Sequence, residues 1–363
     1  MKKILTFLVA LMTASLMMAQ SSLVVTVSNG TTVKTFQGNT ALTEALKVAG
    51  NGDVVTMSNG QFFGGEITKN ITLRGVGMSD SNAEGNVHGT SIISGTLRIN
   101  IPETETGRLR MEGVYLSDSL HYCTKISNAM FEKCRFKTFR PKGDGSALNL
   151  CNFLHCRIAG NIVLNTNSQV SMSNCVVWGP FNAEKANSGF DFRNCIVSFA
   201  IPYWTVGANK YYRAAAVQNS TYRNCIINSQ ESSNVTPTHY QIPSSCTATY
   251  CIGNGTSYTN TFVNLSDICR TTCWWVSLAT SSVNPFKSGT LVKDYTNTEK
   301  FILTDDAKKK YISSDGTEIG LYGGSLPYDE NPVRPQLLKV IVSKNTDENG
   351  YLPVYIQAKD AEY

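Results

Sequence analysis

The sequence predicts an all-β fold in which the chain coils once per repeat. Two observations carry that prediction. First, seven segments share one six-residue frame: apolar, any, any, Cys or small, any, apolar. They are 111–116 (MEGVYL), 131–136 (FEKCRF), 153–158 (FLHCRI), 172–177 (MSNCVV), 192–197 (FRNCIV), 222–227 (YRNCII) and 248–253 (ATYCIG). Successive starts are 20, 22, 19, 20, 30 and 26 residues apart. A period of about 20 residues makes each repeat one turn of a coil. Second, only 16% of the residues are charged, and Ser, Thr, Asn and Gly fill the polar positions, as in long regular β proteins.

Residues 1–19 read as a secretory signal peptide: Lys2 and Lys3, then an apolar run from Ile4 to Met18, then Ala19 before Gln20. The run is too short to span a bilayer, and no later stretch is long enough. No transmembrane segment is expected, and no Cys follows the cleavage point to carry a lipid. The mature chain is expected to be secreted, periplasmic or at the cell surface. Without Lys2 and Lys3 the basic count falls from 32 to 30 against 27 acidic residues, a net charge of +3. That balance gives no case for nucleic acid or an anionic membrane.

Residues 23–27 alternate like a strand. Thr40 is placed to N-cap a short helix in which Leu42, Ala45, Leu46 and Ala49 share one face, and Gly50 stops it. Such a helix would cover the open end of a coil. The coil is expected over residues 20–326, with this cap at 23–50. Residues 327–363 read as a C-terminal β-hairpin. Pro327, Pro332 and Pro335 break the coil, and two β runs, 337–342 and 351–356, flank the turn signals of 345–350.

Within the frame, the first, fourth and sixth positions are apolar or Cys and face inward. The third is Asn in three successive repeats, Asn174, Asn194 and Asn224. Asn tolerates a left-handed backbone, so a one-residue bend between two short strands is expected there. The Asn side chains are expected to bond to one another along the axis. Cys134, Cys156, Cys175, Cys195, Cys225 and Cys251 occupy the fourth position. Free Cys packs as a small hydrophobe. Neighbours at the ~4.8 Å strand spacing stand slightly too far apart for relaxed disulfide geometry. A reduced structural ladder is expected; the alternatives are one or two bridges within it, or metal or redox chemistry. Cys123, Cys151, Cys246, Cys269 and Cys273 fall off the ladder. Cys269 and Cys273 read as a local disulfide or buried thiols, with zinc as the poorer fit.

With these motifs in place, the chain resembles the right-handed parallel β-helix proteins of the pectin-lyase-like superfamily. The helical cap followed by residues 52–77 (GDVVTMSNGQFFGGEITKNITLRGVG) resembles their first turns. The NCIV and NCII repeats resemble their Asn and stacking ladders. Residues 314–324 (SDGTEIGLYGG) resemble the closing turn of secreted bacterial members. The resemblance covers residues 40–325 and rests on structural motifs. It implies carbohydrate-related work. The reading taken from it is a monomeric secreted or cell-surface protein that binds a polysaccharide, a cell-surface glycan or another partner without catalysis, with a purely structural role also open. The alternative is a polysaccharide lyase acting on an acidic polysaccharide by β-elimination.

The candidate site residues follow from position. No Asp-Asp pair lies in the coil, so the paired carboxylates of an inverting hydrolase are missing; Asp305 and Asp306 fall after it, in a charged loop. Glu112 and Glu132 share the second position and read as a solvated face or part of a calcium site; no other cofactor is implied. Arg135 and Arg157 share the fifth position, Arg193 and Arg223 the second, and His155 sits at the bend beside Arg157. Arginines stacked at one-turn spacing could grip uronate carboxylates. After Arg157 the fifth position turns apolar: Val176, Ile196, Ile226 and Ile252. An outward apolar stripe calls for a cover. The insertion at 198–221, carrying Trp204, Tyr211 and Tyr212, or the C-terminal hairpin, is expected to supply it. The same aromatics could instead form a platform for sugar rings. Lys308 to Lys310 read as a solvated turn.

Overall fold

The computed structural model describes residues 23–78, 89–179, 181–182, 185–199, 203–206, 209–212, 219–229, 246–254, 272–276, 285–287, 300–329, 336–342 and 354–359. The fold is a parallel β-solenoid of about seven turns. Two large sheets run along it. In the first, eleven strands stack from Val33–Gln37 to Thr247–Thr249. In the second, fourteen strands run from Gly60–Phe63 to Trp274–Val276. A short parallel pair, Lys125–Ser127 with Ala147–Asn149, belongs to a third face. The first strands are the exception to parallel stacking: Val24–Ser28 pairs antiparallel with both Val33–Gln37 and Val54–Met57.

The end cap follows the sequence closely. The helix Ala41–Val48 buries Ala41, Leu42, Ala45 and Leu46. Thr40 precedes it, but its hydroxyl donates to Glu44 (2.9 Å) and caps no backbone amide. Gly65 has no Cβ where Leu46 and Thr43 press against it. The C-terminal hairpin pairs Gln336–Val342 with Val354–Lys359. Residues 1–22, including the expected signal peptide, lie outside the described residues. Among the described residues no helix is long and apolar enough to cross a membrane.

The bend falls at the third frame position in all seven repeats. Gly113, Lys133, His155, Asn174, Asn194, Asn224 and Tyr250 all have φ between 49° and 62°. For the non-glycine residues this left-handed backbone costs about 1–2 kcal/mol each. The bend turns the chain from the first sheet into the second. It also upsets strand pairing locally, and the thiols repair it. The Cys156, Cys175, Cys195 and Cys225 amides donate to the Sγ of Cys175, Cys195, Cys225 and Cys251 on the following turn, at 3.3–3.5 Å. The same sulfurs reach back to a first-position carbonyl of the preceding turn: Cys175 to Phe153 (3.5 Å), Cys195 to Met172 (3.3 Å), Cys225 to Phe192 (3.4 Å). Cys is thus more than a small apolar filler. It supplies an acceptor to a backbone amide that the bend takes out of the ladder, and its S–H lies within reach of nearby carbonyls. Burial pushes the Cys156, Cys175 and Cys225 thiols well above the ordinary thiol range.

The ladder runs one turn further than the sequence frame indicates. Cys273 receives the Cys251 amide (3.4 Å), and Trp274 pairs with Ile252. Cys273 is disulfide-bonded, the nine other described cysteines are free, and Cys269 lies outside the described residues. Inside the coil the first-position rings stack across turns: Phe131 on Phe153 at 4.5 Å between centroids and Phe192 on Tyr222 at 5.2 Å.

Replacing Cys195 with Ala leaves the Cys175 amide and the Met172 carbonyl without their sulfur partner. The expected loss is about 1–3 kcal/mol. It should be read as a lower urea midpoint at unchanged slope. Cys195→Ser, which keeps a donor and an acceptor, should lose less.

Candidate functional site

The third-position side chains point out of the coil and do not bond to one another. They form a rail on which residues 314–329 dock, running back along the coil. Ser314 N and Oγ donate to Asn224 Oδ1 (3.2 and 3.1 Å). Asn174 Nδ2 donates to the Leu321 and Gly323 carbonyls (2.9 and 2.8 Å). His155 Nε2 donates to the Leu326 carbonyl (3.1 Å), and Lys133 pairs with Asp329 (2.8 Å). Residues 314–324 therefore do not close the coil with a further turn; they strap its side.

The strap covers the apolar stripe. Val176, Ile196, Ile226 and Ile252 form a second core outside the coil with Phe286, Phe301, Leu303, Ala307, Tyr311, Ile319, Leu321 and Tyr328. Among the described residues the cover comes from 286 and 301–328; the side chains of the insertion's strands 203–206 and 209–212 and of the C-terminal hairpin lie outside the described residues. Asp305 and Asp306, expected in a loop, open a short helix, Asp305–Lys310, capped by Thr304 Oγ1 on the Ala307 amide (3.2 Å). Lys308 to Lys310 form its last turn, and Lys308 pairs with Glu318 (2.8 Å).

This cover removes the expected arginine groove. Arg157 is 2% exposed, and its Nε donates to the Tyr328 hydroxyl at 2.7 Å. His155 is buried against the Tyr328 ring, and burial lowers its pKa from the ordinary imidazole value. Arg135 lies over the Tyr115 ring, 4.1 Å from its centroid, half-buried. Arg193 and Arg223 are exposed and in register, with Arg193 held by Asp191 (2.6 Å). The strands Tyr203–Val206 and Asn209–Tyr212 pair antiparallel, while the side chains of Trp204, Tyr211 and Tyr212 lie outside the described residues. Glu112 and Glu132 are neither a solvated face nor a calcium site. They are 2% and 6% exposed and tied to arginines. Arg74 pairs with Glu112 and Arg110 with Glu132, both at 2.6 Å, and Arg110 also contacts Glu112. Among the described residues no group of three or more His, Cys, Asp or Glu is placed to hold a metal ion.

A different column of basic residues stands on the outer face of the second sheet. Arg98, His121 and Arg140 are in direct register on three successive strands, Leu97–Ile99, Val114–Tyr122 and Arg135–Pro141. Each sits between residues that face in: Leu97 and Ile99, Leu120 and Tyr122, Phe139 and Pro141. Leu97, Ile99, Leu120, Tyr122 and Phe139 are fully buried. Arg98, Arg140 and the nearby Lys142 are exposed and form no ion pair among the described residues. Glu66 precedes Arg98 in the column but accepts from Asn100 Nδ2 (3.0 Å).

His121 is the centre of this column. It is 8% exposed, and Arg140 Nε donates to its Nε2 at 2.9 Å. The other ring nitrogen, Nδ1, then carries the proton, is buried and has no partner. Burial first, then the charges of Arg140, Lys142 and Arg98, lowers the His121 pKa, so the ring is neutral at pH 7. The site presents an unused N–H donor between two arginines.

The sequence frame misses the column because it lies beyond the sixth position. A register shift between Leu116 and Ser119 also changes the local count. The signal is nonetheless present as three triplets with a basic centre, LRI, LHY and FRP, whose central residues are 23 and 19 apart.

The strap's seat is testable. Gly324 has φ +79°, and a Cβ there would collide with Asn194 Nδ2. Gly324→Ala should cost about 1–2 kcal/mol for the backbone alone, before the collision is counted. Limited proteolysis should then cut within 300–329 and a hydrophobic dye should bind, with the far-UV spectrum of the coil unchanged.

In comparison with known proteins, no family model, no curated protein and no solved structure matches the chain.

Proposed function

We propose that this protein is a secreted or cell-surface β-solenoid that binds an acidic polysaccharide through the column Arg98–His121–Arg140 with Lys142. The observation that carries the reading is the buried, unpartnered Nδ1–H of His121 between two arginines that have no carboxylate partner among the described residues. Arg98 and Arg140 stand two strands apart, about 10 Å at the ~4.8 Å strand spacing, with the neutral His121 between them; cations so spaced suit anionic groups repeated along a polymer. Arginine can grip a carboxylate through two parallel hydrogen bonds. The resemblance to the pectin-lyase-like superfamily supports a carbohydrate ligand.

Binding without turnover is favoured over β-elimination. An eliminating enzyme needs a base with a free lone pair beside the uronate C5 proton. The His121 lone pair at Nε2 is already occupied by Arg140, and its free nitrogen is a donor. His155 keeps a bare nitrogen, but it is buried under the strap.

Polygalacturonate, alginate and heparin, tested by affinity electrophoresis or calorimetry, should include at least one ligand whose binding weakens with salt. Arg98→Ala with Arg140→Ala should cost about tenfold or more, about 1.4 kcal/mol. The pH dependence has a definite sign. His121 can be protonated only at Nε2, so proton uptake requires Arg140 Nε to leave the ring for the bound anion; the anion also offsets the cations that lower the His121 pKa, so binding takes up a proton. Affinity should therefore strengthen from pH 7.5 towards 5.5, where uronates remain ionised because carboxyls titrate near about 4. His121→Gln should flatten the dependence. Formation of unsaturated uronate, seen by ultraviolet absorbance and lost in His121→Gln, would overturn the non-catalytic reading.

A further inference from the structure

The third face of the coil carries a trench separate from the basic column. One concavity is lined by residues including Asn70, Pro102, Glu103, Lys125 and Asn128. The next is lined by residues including Lys125, Asp144, Asn149, Asn165, Asn167 and Lys185. Lys125 belongs to both, so the two join along the coil axis. The lining comes from six successive turns, each time just before the chain enters the first sheet. Five rises at the ~4.8 Å strand spacing give a trench about 24 Å long.

Its chemistry differs from that of the column. The lining carries Lys125 and Lys185 against Glu103 and Asp144, and its other carboxylate, Glu105, is paired with Lys69, so no single sign dominates. The polar groups left over are amides. Among the described residues the Asn128 side chain has no hydrogen-bond partner. Among the described residues the Asn149 and Asn165 side chains bond only through Nδ2, at 3.5 Å to Ser127 Oγ and the Gly143 carbonyl, and neither Oδ1 has a partner. Asn167 Oδ1 accepts from Asn187 Nδ2 (3.0 Å). Each such amide can present a donor and an acceptor side by side, which matches adjacent sugar hydroxyls. An extended peptide added as a strand would run along the strands, whereas this trench crosses them.

We propose that the trench binds a linear, uncharged oligosaccharide lying parallel to the coil axis. This does not rest on the acidic-polysaccharide reading, because no residue is shared. The full chain would be titrated with cellohexaose, xylohexaose, mannohexaose and maltohexaose by calorimetry and ligand-observed NMR. At least one should bind with a Kd of about 1 mM or tighter. Its affinity should be unchanged between about 0.05 and 0.5 M salt, and unchanged in Arg98→Ala/Arg140→Ala. Asn149→Ala/Asn165→Ala should weaken it about tenfold, the equivalent of about 1.4 kcal/mol. Thr166→Trp, an exposed position on the trench wall, should block it with the fold intact by circular dichroism. The proposal is overturned if none of the four hexasaccharides binds, if Thr166→Trp has no effect, if binding is lost with the column arginines, or if an extended peptide binds in their place.

Discussion

A left-handed residue once per turn interrupts strand pairing, and the fourth-position amide beside it needs another partner. A thiol on the following turn supplies it. Among small side chains, Cys combines a long, soft sulfur that spans the inter-turn distance with enough apolar character to sit in a dry core. The coil depends on this repair, since an unpaired buried amide in every turn would cost about 1–3 kcal/mol each time. The bend also decides which side chains leave the coil. Positions three and five diverge outward on either side of the inward sulfur, one building the rail and the other the apolar stripe.

Rail and stripe together explain why one face of the coil is closed and another open. Apolar residues at position five need a cover, and Asn at position three offers amides to a segment with no regular secondary structure. Gly320 fits because a Cβ there would lie 2.8 Å from Ile226 Cδ1. Nearer the N-terminal end the same two positions hold Lys133, His155 and Arg157, and the strap finishes on them through Asp329, Leu326 and Tyr328. These basic residues anchor the end of the strap. Cations free for a ligand stand instead on the far strands of the second sheet.

The repeat, the bend and the capping helix were legible in the sequence because each is written in local spacing: about 20 residues per turn, Asn at a fixed slot, and an i, i+3, i+4, i+7 face. The strap was not, because its bonds join residues 90 to 196 positions apart. Nothing in SDGTEIGLYGG distinguishes a last turn from a segment laid along earlier ones. The arginines were misplaced for the same reason. Arg157 has the spacing of a surface residue, and only the remote Tyr328 makes it a buried one. Glu112 and Glu132 likewise looked solvated until Arg74 and Arg110 were brought beside them.

The strap's distance along the chain also has a consequence for how the protein is made. Turns of a solenoid pair with their neighbours and can assemble as they emerge. The seats for the strap, from Lys133 to Asn224, are complete long before residues 314–329 exist. During that interval Val176, Ile196, Ile226 and Ile252 line an uncovered strip on an otherwise finished coil. Partly folded chains with such surfaces are prone to associate. The order of residues along this chain therefore imposes a waiting time, and the segment that makes the surface safe arrives only after every turn it covers.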